Sequence, residues 1–345
     1  MSDRRLSICI PTYNRSAFLR EAIASIIGQA AGAPAGTVEI VVSDNASTDD
    51  TAAVVGALAN ESPLPIRYFR NEANVGFDGN CLKAVERAAG RYCWLLGDDD
   101  LLADGALSVV LDALAARPAD LYLGEKDDFY LTPDRPLKER RIMRLDRPTL
   151  FDFRDRRVIA GYFRQNNKLI AFFNFISIMV FRREAWLAVK DPERFVGSGY
   201  IHVYMFMSLL WDGQGGTLLY LPDKLVKRRW GEDRIVNVET RLKQDVTVFH
   251  RIVGAVLPDR FYLNEIDRLV IKNDGFSWAV RAKTGTGLRF YTGIFPFLLK
   301  LFWRQPLFWL KIFPLLFTPA TLIKLLRWGY RVTVKGESLG WREIW

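Results

Sequence analysis

Apolar residues fall in short runs and helix-spaced sets that alternate along the first 125 positions. Residues 6–11 form an apolar run, and residues 15–29 place Phe18, Leu19, Ala22, Ile23, Ile26 and Ile27 on one side of a helix. The alternation continues with a strand at 38–42, a helix at 50–58, a strand at 66–69, a helix at 80–89 and a strand at 92–96. Another helix then leads to a strand at 121–123. Strands separated by helices predict an α/β fold with a mostly parallel sheet covered on both faces. Such sheets bind ligands beyond the carboxyl ends of their strands, where the polar clusters of this chain also fall.

The pattern loosens further on. Residues 127–157 are charged and irregular, with several prolines, and read as an excursion or lid. A strand is expected at 176–181, a helix at 200–210, a short strand at 218–221, and longer helices at about 239–253 and 259–282. No internal repeat is visible. Residues 1–5 lead directly into the first strand, so no signal peptide is expected. Cys9, Cys81 and Cys93 fit no zinc spacing and read as reduced, buried thiols of a cytosolic compartment.

Charge changes the picture at the C-terminus. The net charge is +9, yet residues 275–336 hold no Asp or Glu. That stretch carries Arg281, Lys283, Arg289, Lys300, Arg304, Lys311, Lys324, Arg327, Arg331 and Lys335 among many Phe, Trp and Leu residues. Prolines at 306, 314 and 319 interrupt the apolar runs, so no clean transmembrane helix is indicated. Lys324, Arg327 and Arg331 share one helical face. Basic residues on one side and large apolar ones on the other predict a helix lying in an anionic membrane interface. Nucleic acid is disfavoured as a partner, because it would leave those apolar side chains unburied. The alternative is a buried helix pair with solvated Lys and Arg.

Four polar segments carry candidate chemistry. Pro11-Thr12-Tyr13-Asn14 closes the first strand. Asp44, after the second, is placed to accept hydrogen bonds from a base or ribose, while Ser47 or Thr48 is placed to cap the next helix. After the third strand, Asn74-Val75-Gly76-Phe77-Asp78-Gly79-Asn80 offers glycines for close backbone approach and Asn80 as a helix cap. Gly97-Asp98-Asp99-Asp100 ends the fourth. Three adjacent carboxylates repel one another unless a counter-charge is present, and a hard divalent cation bound to phosphate oxygens supplies it.

In order and spacing these segments resemble the family 2 glycosyltransferases of the GT-A fold, over about residues 6–125 and more loosely to about 230. Gly97-Asp98-Asp99-Asp100, Phe175-Ile176-Ser177 and Gly199-Tyr200-Ile201-His202-Val203-Tyr204 look like the abequosyltransferase-type branch. The resemblance implies a nucleotide-sugar donor, Mg2+ or Mn2+, and inverting single displacement. It places Pro11 and Tyr13 at the base, Asp44 as a base ligand, and Asn74 and Gly76 along the nucleotide. Where the family commonly has Asp-x-Asp-Asp, Gly97 occupies the first place. Asp99 then matches the metal ligand, with Asp98 toward ribose or metal; a shifted register pairs Asp98 with Asp100. His202 stands where the family usually has a catalytic Asp, and imidazole is a competent base. Metal or acceptor-phosphate binding and a structural role are its other readings, and Asp127 or Asp128 is the fallback base. Arg228 or Arg229 is expected at the diphosphate, with a solvated basic turn as the alternative.

The expected organisation is a GT-A domain over 1–235, with a nucleotide-sugar half (1–125) and an acceptor half (126–235). A helical region at 236–287 and a membrane-associating region at 288–345 follow. The expected function is sugar transfer to a polyprenyl-diphosphate-linked saccharide at the cytoplasmic face of a bacterial inner membrane, in surface polysaccharide assembly. A sugar nucleotidyltransferase and an inactive membrane adaptor are the alternatives. Pro11-Thr12-Tyr13-Asn14-Arg15 lacks the glycine-rich activating loop of the former.

Overall fold

A computed structural model describes residues 5–137, 141–167, 169–211, 215–230, 238–257, 259–272 and 276–335. Strands β1 (Leu6–Thr12), β2 (Val38–Asp44), β3 (Ile66–Arg70) and β4 (Tyr92–Leu95) alternate with helices α1 (Ser16–Ile27), α2 (Thr51–Glu61) and α3 (Gly76–Glu86). Next come β5 (Leu101–Leu102), α4 (Ala106–Ala116), β6 (Leu121–Tyr130), β7 (Pro136–Leu137), β8 (Thr149–Asp152) and α5 (Arg156–Gln165). Strand β9 (Met179–Arg182), α6 (Arg183–Leu187), α7 (Ile201–Trp211) and β10 (Thr217–Trp230) complete the sheet region.

The described strands form one mixed sheet, ordered β3-β2-β1-β4-β9-β6-β10-β5, with β7 and β8 attached to β6 and β10. The first four are parallel. Strand β9 runs antiparallel to both β4 and β6 and so reverses the sheet next to the acidic cluster. Every residue of β1, β2 and β4 is buried, as expected of strands covered on both faces. Helix α3 packs on β1 and β2, and α7 packs against α3 and α6. Cys9, Cys81 and Cys93 are buried free thiols.

Several elements differ from their sequence-based bounds. Strand β6 extends through Tyr130, so Asp127 and Asp128 lie within it. Strand β10 runs on to Trp230, so Arg228 and Arg229 lie in a strand and not in a turn. These two charged strands pair in parallel, with irregular register between Tyr220 and Val226. Their opposite charges meet across the ladder, which lets polar sequence continue as strand. Helix α3 starts at Gly76, placing Asn80 inside it rather than at its cap. The strand expected at 176–181 opens with a 3₁₀ turn (Ile176–Ile178) and becomes β9 only at Met179.

The chain divides into two compact units, Met1–Asp233 with Ile252–Leu257, and Arg234–Arg251 with Pro258–Trp345. The boundary expected at 235/236 lies outside the described residues. The second unit draws on α8 (Val238–Val256), α9 (Arg260–Val270), α10 (Phe276–Thr286), α11 (Phe295–Phe302) and α12 (Ala320–Lys335). Of the expected helix 259–282, α9 covers the part to Val270 and α10 the part from Phe276, and 273–275 lie outside the described residues. Phe290, Ile294, Leu298, Phe302, Phe308 and Ile312 form its apolar centre. Lys283, counted above with the basic surface, is buried instead. Its ammonium donates to the carbonyls of Leu315 and Leu316 and to the Tyr291 hydroxyl, satisfying the end of a 3₁₀ turn. Among the described residues no helix is long and apolar enough to cross a membrane.

Candidate active site

The polar segments converge at the carboxyl ends of β1, β2 and β4. Asp98 and Asp99 follow β4, and Arg15 follows β1. The Arg15 guanidinium spans both carboxylates, at 3.0 Å from Asp98 Oδ1 and 2.9 Å from Asp99 Oδ2. Thr12 Oγ1 donates to the other Asp98 oxygen at 2.8 Å. Asp98 is buried, and desolvation pushes its carboxyl up to about 6 despite Arg15.

Asp100 belongs to a different set of contacts. The Ser177 hydroxyl donates to its Oδ2 at 2.5 Å and accepts from the Gly97 N–H at 2.9 Å. Burial, and then the Asp99 charge, raise Asp100 to about 8. This packing leaves little room for a side chain at Gly97. A Cβ there would lie 2.9 Å from Asp100 Oδ2 and 3.3 Å from Ser177 Oγ. Among the described residues no three His, Cys, Asp or Glu side chains gather as a metal cage. Two carboxylate oxygens, from Asp98 and Asp99, do converge on a single cation, that of Arg15. A hard cation sharing its remaining positions with phosphate oxygens and water needs about that many protein carboxylates, so these two residues fit one.

The nucleotide-side residues are held by one another. Asp44, buried at the end of β2, accepts from the Ser47 N–H at 2.9 Å and from the Tyr68 hydroxyl at 2.5 Å. Asn45 donates to Asn74 Oδ1 at 2.7 Å and to the Gly76 carbonyl at 3.2 Å, and accepts from the Val75 N–H at 2.9 Å. Asn80 donates to the Ser43 carbonyl at 2.8 Å, locking α3 to β2. Ser47 and Thr48 do not cap α2; the Asp49 carboxylate accepts from the Thr51 N–H at 3.1 Å at that end. Pro11 is buried in β1, while the Tyr13 ring is exposed beside it.

His202 lies in the first turn of α7 and is buried. Burial pushes its pKa down to about 3, against a smaller upward pull from the Asn174 backbone. Neither ring nitrogen completes a hydrogen bond of good geometry among the described residues. Its ring meets that of Phe77 edge-on, 6.1 Å between centroids. Asp127 is exposed and paired with Lys224. Asp128 is fully buried, with Lys126 at 2.5 Å and a two-pronged bond from Arg228 at 2.9 Å. Arg228 also lies over the rings of Phe175 and Trp230, at 5.1 and 4.3 Å. Arg229 is buried, bonded to Glu21 at 2.5 Å and to the Asp99 carbonyl at 3.2 Å.

Sequence reasoning did not single out Thr12, Arg15, Glu21, Asn45, Tyr68 or Asp78. Arg15 stands 83 residues before Asp98 and meets it only because β1 and β4 pair in the sheet. The roles of Tyr68 and Glu21 likewise depend on which strands and helices become neighbours.

The likenesses to known proteins agree with this arrangement. Over 228 residues, which are 66% of this chain and 67% of the relative, the chain is 32% identical to the abequosyltransferase RfbV of Salmonella typhimurium. A GalNAc(5)-diNAcBac-PP-undecaprenol beta-1,3-glucosyltransferase of Campylobacter jejuni is 39% identical over 108 residues, 31% of this chain but only 33% of its own length. In fold, the chain resembles S. aureus TarS 1–349 in complex with UDP, with TM-score 0.60, 15% identity, and coverage of 96% of this chain and 88% of that one. It also resembles the mannosyltransferase PcManGT of Pyrobaculum calidifontis in complex with GDP-Man and Mn2+, with TM-score 0.52, 15% identity, and coverage of 97% and 88%. The model of glycosyl transferase family 2 matches residues 7–187. With strand ends, acidic cluster and family model coinciding on the same half of the molecule, the chain belongs to glycosyl transferase family 2 and is a GT-A glycosyltransferase.

Proposed function

We propose that this glycosyltransferase moves a sugar, with inversion, from a nucleotide-sugar donor to a polyprenyl-diphosphate-linked saccharide at the inner face of a bacterial membrane. The observation that carries the reading is the convergence of Asp98 and Asp99 on one cation at the end of β4. Residues 1–125 form the donor half and 126–235 the acceptor half. Pro11 and Tyr13 border the base, Asp44 orders its pocket, and Asn74 and Gly76 follow the nucleotide. Asp99, aided by Asp98, would hold Mg2+ or Mn2+; Asp100 supports the turn from behind. A divalent cation held there would supply positive charge for a leaving diphosphate. Arg228 is the better candidate for the diphosphate: both arginines are paired with a carboxylate, but the Arg228 side chain is 20% exposed and that of Arg229 only 3%.

His202 takes the proton. The acceptor oxygen forms its bond to the anomeric carbon while the bond to the donor diphosphate breaks and its electron pair leaves with the nucleotide. The acceptor hydroxyl proton goes to an imidazole nitrogen. Burial keeps that imidazole neutral at pH 7, as a base must be. Asp127 and Asp128 remain the alternative bases, both engaged by basic side chains.

Membrane attachment is assigned to the second unit. Leu288, Leu310 and Phe317 are 81%, 73% and 75% exposed, and Trp303, Trp309 and Leu326 are exposed too. Together with a run free of acidic residues, these side chains suit an anionic lipid interface. The lipid-linked acceptor of the Campylobacter relative supports the same placement.

The test is release of nucleoside diphosphate from a panel of UDP-, GDP-, dTDP- and CDP-sugars by the purified full chain. At least one donor should turn over with Mn2+ or Mg2+, and Asp99→Asn should abolish that turnover while leaving the thermal midpoint within a few degrees. Turnover of none of the panel, or full metal-dependent activity in Asp99→Asn, would overturn the reading.

A further inference from the structure

Asp78 is buried, 2% exposed, in the first turn of α3, yet it serves a helix more than a hundred residues away. Its Oδ2 accepts from the Gly199 N–H at 2.8 Å and its Oδ1 from the Ile201 N–H at 3.2 Å. Those amides belong to the loop entering α7 and to its first residue. One carboxylate therefore sits at the amino ends of two helices, where backbone N–H groups and helix dipoles both favour a negative charge. Gly199, whose N–H makes the first of these bonds, has φ of 76°, a left-handed turn that favours glycine.

The neighbours of Asp78 give this contact a direction. Two residues before it is Gly76, whose carbonyl is held by Asn45 at the end of β2. One residue before it is Phe77, whose ring meets the ring of His202. One residue after the Ile201 amide is His202 itself. An unbroken series of contacts thus runs from the nucleotide-side loop, through Phe77 and Asp78, to the first turn of α7.

We infer that Asp78 is a positioning residue that fixes His202 relative to the donor loop. The inference rests on the proposal that His202 is the base. Asn at position 78 offers one acceptor where two N–H groups need one each, so its amide nitrogen would face a backbone donor. The first turn of α7 then shifts or frays, and His202 with it. A displacement of that kind lowers turnover without touching the nucleotide.

The experiment measures kcat and KM for wild type, Asp78→Asn, His202→Ala and the double variant, using the panel donor that wild type turns over fastest. Asp78→Asn should lower kcat roughly 10- to 100-fold and leave donor KM within about threefold. In the His202→Ala background it should cost less than about twofold. An equal cost in both backgrounds, or unchanged kcat in Asp78→Asn, would overturn the inference while leaving His202 as base. Wild-type turnover in His202→Ala would instead remove the base assignment, and this role for Asp78 with it. If Asp78→Asn does not fold, Gly199→Ala replaces it. A Cβ there meets nothing within 4 Å, so only the turn is strained. The same loss of kcat, absent in the His202→Ala background, is expected.

Discussion

Arg15 and His202 are the residues whose individual physics is most open to measurement. Arg15 already neutralises Asp98 and Asp99, so a metal ion must compete with it. Arg15→Gln should therefore raise Mn2+ affinity about tenfold, roughly 1.4 kcal/mol, in donor-free titrations followed by electron paramagnetic resonance. Equal affinity in the two proteins would place the cation elsewhere. His202 gives a pH signature. Its folded pKa of about 3 lies below the ordinary 6.5, so between those values the unfolded chain binds more protons. Its contribution to stability is complete above pH 6.5 and is lost as pH falls below it. Between pH 7.5 and 5.0 wild type should lose about 2 kcal/mol more than His202→Gln in urea denaturation. Parallel losses would mean that the imidazole is hydrated in the folded protein.

At the scale of elements, the parallel pair β6 and β10 explains how a charged sequence becomes sheet. Lys126 and Arg228 flank Asp128 inside the structure, so one carboxylate serves two cations. Asp128→Asn leaves both cations without a full counter-charge and should destabilise the chain by about 3–5 kcal/mol, read as a lower thermal midpoint. A variant of native stability that has lost turnover would instead support Asp128 as the base. The β4 turn is equally constrained. Gly97 cannot become the aspartate common in the family without moving Asp100, because a Cβ at 97 already falls 2.9 Å from that carboxylate.

At the scale of the whole molecule, the proposed chemistry and the proposed attachment fall in different units. The first unit carries the strand ends, and the second carries the exposed Leu288, Leu310 and Phe317. Leu310→Ser with Phe317→Ser should shift the protein from anionic liposomes to the supernatant in flotation assays. Salt should weaken wild-type binding without abolishing it, because the inserted apolar side chains are not screened. Release of nucleoside diphosphate in solution should persist in the double variant. Liposome binding unaffected by both substitutions and salt would assign the exposed side chains to another partner.

The alternation of β1 to β4 with their helices, the acidic cluster and the charge of the tail are legible in the chain alone. Each is written in local periodicity or in a run of neighbours, which do not depend on distant residues. The fold is what sets Arg15 across Asp98 and Asp99, Ser177 against Asp100, and Asp78 at the start of α7. It also decided that Lys283 is internal and that Arg228 and Arg229 extend a strand. The reason is physical. A carboxylate, a lysine or an arginine has no fixed place in a local pattern, and its role is set by which charge or backbone donor the fold brings within about 3 Å.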